Sequence, residues 1–87
     1  MARSVVEEGL AACVHIGPVT SVYRWEGKIV ETREWSCQMK TFPARVPALF
    51  DRIRALHTYQ VPEIVAVPIT AVAPTYLQWM AESVRDS

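Results

Sequence analysis

Two β-rich runs joined by a Glu-Gly pair restrict this chain more than any other feature. VTSVYRW (19–25) and IVETREWSCQMKT (29–41) flank Glu26 and Gly27, and a glycine there supplies the positive φ that a two-residue hairpin connection demands. AACVHI (11–16), interrupted at Gly17 and Pro18, lengthens the first run. The pattern therefore predicts one long antiparallel hairpin. A tip at Glu26–Gly27 sets its register, placing Met39 opposite Val14, Cys37 opposite Ile16 and Trp35 opposite Pro18 on a plainly apolar face. The other face pairs Cys13 with Lys40, His15 with Gln38 and Gly17 with Ser36. In this register Cys13 and Cys37 point to opposite faces, and only a bulge at Gly17 or Pro18 would let them pair.

Around the hairpin the periodicity turns helical. Residues 2–10 predict a helix with Val5, Val6 and Leu10 on one face and Gly9 near its end, where a glycine can take the left-handed cap conformation. No capping side chain precedes Met1, so the chain reads as beginning inside that helix. From Pro43 to Leu56, the residues Val46, Leu49, Phe50, Ile53 and Leu56 recur at helical spacing, with Pro43 and Pro47 suited only to a first turn. EIVAVPI (63–69) then reads as a short apolar strand buried on both faces, and a last helix follows with Leu77, Met80, Ala81 and Val84 at steps of three and four.

Composition narrows the function classes. With 87 residues and 51% hydrophobic content, the chain is one globular domain, residues 1–87, small enough to gain from burial against a partner. Nine basic residues are cancelled by nine acidic ones and are scattered among them, which argues against nucleic acid. No segment approaches the ~20 apolar residues that cross a bilayer, and the N-terminus lacks a signal-type apolar stretch, so the expectation is no membrane and a cytoplasmic location. Two widely spaced cysteines make neither a disulfide framework nor a zinc motif.

The motifs carry a resemblance. VVEEGLAACVHI (5–16) resembles the LVEEGLAACVNI pattern of the CutA divalent-ion tolerance family, and SVYRWEGKI (21–29) is similar to that family's hairpin tip. MKT (39–41), HTYQVPEIVAVPI (57–69) and YLQWM (76–80) resemble its later motifs in the same order, covering nearly the whole chain. The resemblance implies an α+β, ferredoxin-like (PII-like) antiparallel sheet with helices on one face. It further implies a homotrimer packed around its long hairpins, with Tyr23 and Trp25 against a neighbour, connected with tolerance of copper and other divalent cations and with no catalytic reaction. The family opens with a strand of the type VLVTVPDEEEA that this chain lacks; since that strand is central, both its neighbours should expose backbone donors and acceptors. Ser36, Cys37, Gln38 and Met39 stand where the family shows LLVIK, His15 stands where it shows Asn, and Thr58 where it shows Pro.

Each candidate site has two readings. His57 is the metal candidate, as an imidazole ligand for Cu(II) or another divalent cation at a position the resemblance implies, or else a helix C-terminal histidine facing the last carbonyls. A PII-like signalling or metabolite-binding module is the alternative function, with Lys40, Thr41, Tyr59 and Glu63 lining a cleft between subunits. Glu63 equally serves as a structural anchor, accepting from backbone or from Lys40. Cys13, His15 and Gln38 share the polar hairpin face and form a possible soft-ligand group.

Overall fold

A computed structural model describes residues 1–57 and 63–84. The first helix, α1, spans Ala2–Glu7 and ends earlier than its periodicity predicts. Gly9 is the reason. It takes φ 72°, its N–H donates to Val6 O at 3.0 Å, and the Leu10 N–H donates to Val5 O at 3.0 Å. This two-bond cap satisfies the last carbonyls and turns the chain back so that Leu10 joins Val5 in the core.

Strands β1 (Cys13–Trp25) and β2 (Lys28–Lys40) form the predicted hairpin, pairing residue for residue from Trp25–Lys28 to Cys13–Lys40 without a bulge. Glu26 and Gly27 both have positive φ, 51° and 78°, the geometry that follows the right-handed twist of the strands. Every predicted pair is present, so Cys13 and Cys37 lie on opposite faces and both are free thiols. Thirteen residues per strand at ~3.3 Å each give the molecule its long axis of 45 Å.

A 3-10 turn, Pro43–Arg45, leads into α2, Val46–Leu56. The prolines dictate this entry, because Pro47 has no N–H to donate and fits only the first turn of an α-helix. Leu49 and Ile53, one turn apart, are buried with Val5, Leu10 and Ala11, while Val14, Met39, Ala48 and Ile64 close around them. The core thus sits under the base of the hairpin, between α1 and α2. Three ties hold that base: Ala12 N–H donates to Lys40 O at 2.8 Å, Thr41 Oγ1 donates to Leu10 O at 2.6 Å, and Arg52 grips Glu8.

Two expectations need correction. EIVAVPI joins no ladder: among the described residues the sheet has two strands, and Val65 and Val67 stand 74% and 79% exposed. A run that apolar needs strands beside it, and neither β1 nor β2 pairs with it. The last helix, α3 (Pro74–Ser83), buries only Met80 of its four apolar positions; Leu77 is 43% exposed, Ala81 is exposed, and Val84 lies past the helix end as its cap. The sequence periodicity was read as a face, but a face is buried only where another surface meets it.

Candidate functional site

The chemistry-bearing side chains gather at the hairpin base. Cys13 and His15 lie two positions apart in β1, so the pleat points both to the same face. Cys13 Sγ is 3.6 Å from His15 Nε2, and Lys40 Nζ is 3.3 Å from His15 Nδ1. Lys40 pairs with Cys13 in the ladder and therefore reaches His15 on the diagonal. An ammonium only donates, so Nδ1 accepts, and a neutral ring then carries its proton on Nε2, directed at the sulfur. From α3, Tyr76 completes the group. Its phenol is held above the ordinary tyrosine value, first by burial and then by the charge and hydrogen bond of Cys13. Tyr76 is itself braced by Trp79, with ring centroids 5.3 Å apart.

The predicted site residues are distributed unevenly over this structure. Lys40 and His15 meet, with Gln38 opposite His15 in the ladder. Thr41 spends its hydroxyl on the Leu10 carbonyl, joining the hairpin to the α1 cap. Glu63 is exposed at the start of the unpaired apolar run, and Tyr59 lies outside the described residues. His57 is half-buried and ends α2 in an extended conformation, φ −86° and ψ 146°.

Sequence reasoning grouped Cys13 with His15 and Gln38 but passed over Lys40 and Tyr76 as their partners. The Lys40 contact was legible, because the register puts it diagonally across from His15 on one face. Nothing in the sequence announces Tyr76, which arrives from a helix more than sixty positions along.

Among the described residues no group of three or more His, Cys, Asp and Glu side chains converges as a metal cage, so any cation held by one chain has few protein donors. A lone imidazole such as His57 fits weak coordination, or coordination completed by another molecule. No described helix is long and apolar enough to cross a membrane.

Comparisons with known proteins converge. The profile of the family described as CutA1 divalent ion tolerance protein matches residues 1–83. The divalent-cation tolerance protein CutA of Thermus thermophilus is 49% identical over 84 residues, which are 95% of this chain and 82% of that protein. Its crystal structure superposes with a TM-score of 0.91 over 97% of this chain and 82% of its own, at 48% identity. Human protein CutA is 47% identical over 91 residues; the whole of this chain is covered, and it spans 51% of the human protein's length. The PII-like protein CutA of a Nostoc species superposes with a TM-score of 0.84 at 35% identity, over 90% of this chain and 77% of that one.

Proposed function

This chain belongs to the CutA1 divalent ion tolerance family and has its α+β, ferredoxin-like fold, and on that premise we propose that it is a divalent-cation tolerance protein acting as a homotrimer. The match running unbroken along the chain carries the functional half of this reading. It is a binding protein rather than an enzyme, and its two free thiols suit a reducing compartment such as the cytoplasm.

Exposed surface supports the assembly. The chain has 6847 Å² of accessible surface, whereas a compact monomer of 9.8 kDa has about 5,200 Å². That excess is close to two standard interface patches of roughly 800 Å² each, which is what a subunit in a closed ring presents to its two neighbours. The patch is visible. Ile16, Val22, Ile29 and Trp35 share one face of the hairpin beyond the core, and all are exposed, Trp35 at 73%.

Metal binding in this reading is weak and uses His57 toward Cu(II) or a related divalent ion. A neutral imidazole is a good Cu(II) donor, yet one donor per chain holds the ion loosely. Calorimetric titration with Cu(II) should give a weak isotherm that His57→Ala abolishes; unchanged affinity in that variant removes His57 from the site. Sedimentation equilibrium showing a monomer at micromolar concentration would overturn the assembly.

The likeness to a PII-like protein favours one second reading. In it, clefts between subunits take a small anionic metabolite, with Lys40 as the cationic contact and Thr41, Tyr59 and Glu63 beside it. Heat released on titration with a metabolite panel, lost in Lys40→Met and kept in His57→Ala, would favour this function over the first.

A further inference from the structure

We propose that Cys13 and His15 form a separate binding site for a thiophilic d10 cation, the class of Cu(I), Zn(II) and Cd(II), with Sγ and Nε2 as its protein ligands and Lys40 opposing its loading. The argument begins with distance. A d10 ion binds a thiolate at about 2.3 Å and an imidazole nitrogen at about 2.0–2.1 Å, so at a tetrahedral angle the two donors stand about 3.5 Å apart. Cys13 Sγ and His15 Nε2 stand 3.6 Å apart without any metal. The ion therefore fits where the hydrogen bond now lies, and the backbone need not move.

The strand makes this spacing durable. Cys13 and His15 belong to a ladder with no bulge, so their shared face is fixed by thirteen consecutive pairs. The next position on that face is Gly17, where even an added Cβ would meet nothing within 4 Å. That open side leaves room for coordinated water. Ser36 and Gln38 line the same recess. On the other side Tyr76 hydrogen-bonds to the sulfur, which marks Sγ as an acceptor already turned toward polar partners.

Loading is a proton exchange without electron transfer. The Cys13 thiol gives one proton to solvent as the S–metal bond forms, and the imidazole proton moves through water from Nε2 to Nδ1 so that the Nε2 lone pair can bind. Net release is one proton per ion, and the metal keeps its electron count. Lys40 then has to leave, because an Nδ1 that carries a proton cannot accept from an ammonium. The Lys40 contact thus favours the empty state, and its positive charge repels the incoming cation.

Titration of the whole chain with Cd(II), followed by the sulfur-to-metal charge-transfer band in the ultraviolet, tests this directly. One band should saturate at one equivalent per chain, vanish in Cys13→Ser and Cys13→Ala, and persist in Cys37→Ser. His15→Asn should weaken binding by at least the roughly tenfold that loss of a mere outer partner of a ligand costs. Lys40→Met should tighten it. His57→Ala should leave it unchanged, so this site and the proposed Cu(II) site stand or fall separately. Circular dichroism confirms that each variant is folded. A band that survives in Cys13→Ser, disappears in Cys37→Ser, or is indifferent to His15→Asn overturns the site; equal or weaker binding in Lys40→Met overturns the role of Lys40.

Discussion

Arg52 on α2 and Glu8 at the end of α1, 44 residues apart, form a two-pronged ion pair: Nε donates to Oε1 at 2.8 Å and Nη2 donates to Oε2 at 2.9 Å. The fork matches the carboxylate edge, and the pair, first by that hydrogen bond and then by the charge of Glu8, raises the already high pKa of the guanidinium. Both side chains remain more than a third exposed, at 38% and 39%. Water and salt therefore screen much of the attraction.

The first prediction follows from that exposure. Arg52→Ala and Glu8→Ala should each lower the melting temperature slightly, and the double variant should lower it by less than the two shifts added together. The coupling should shrink in high salt. A coupling insensitive to salt would mean that packing of the Arg52 stem, rather than charge, joins the helices.

The hairpin tip gives the second. Glu26 occupies the left-handed region at φ 51°, a conformation in which asparagine is tolerated better than glutamate. Glu26→Asn should raise stability by roughly 0.5–1 kcal/mol, whereas Gly27→Ala should lower it by about 1–2 kcal/mol, the cost of a Cβ at positive φ. Urea denaturation with an unchanged slope is the measurement.

Core and surface leucine-like residues should differ sharply. Leu49, 4% exposed, packs against Val5 and Ile53; Leu49→Ala should cost ~2–5 kcal/mol through lost contacts and the cavity left behind. Val65→Ala, at a position 74% exposed in the single chain, should stay within about 0.5 kcal/mol unless another surface covers it. A large loss at Val65 in the assembled protein would identify it as an interface residue.

Trp35 separates folding from assembly. If copies associate through the exposed hairpin face, Trp35→Ala should weaken the trimer by about 2 kcal/mol or more, as truncation of an aromatic anchor does. Circular dichroism of the dissociated chain should be unchanged. Sedimentation equilibrium across a dilution series reads the first effect, and undiminished association in Trp35→Ala would exclude this face.

What the sequence disclosed and what it withheld divide along the range of the interactions. The hairpin pairing from Val14–Met39 to Trp25–Lys28 was legible because a two-residue turn fixes every pair beyond it. The α2 stripe of Leu49 and Ile53 was legible for the same local reason, a period of 3.6. By contrast, EIVAVPI has strand composition but no ladder, since pairing is a property of two segments and composition of one. α3 has a helical face of which only Met80 is covered. At the site, the common face of Cys13 and His15 came from strand parity, while Tyr76 came from a distant helix and left no trace in local pattern.

The uniform ladder also orders the events of folding. Once Glu26 and Gly27 turn, Trp25 meets Lys28, and each closed pair leaves only a short loop for the next, so entropy is lost in small steps rather than at one long closure. The strands can zip from the tip down to the diagonal contact of His15 with Lys40, 25 residues apart, on the microsecond scale of hairpins. The docking of α2 against α1, which Arg52 and Glu8 secure, spans a longer separation and comes afterwards. The part of the chain that forms earliest is thus its least covered, and in a concentrated solution its apolar face is available to a second chain before either has finished folding.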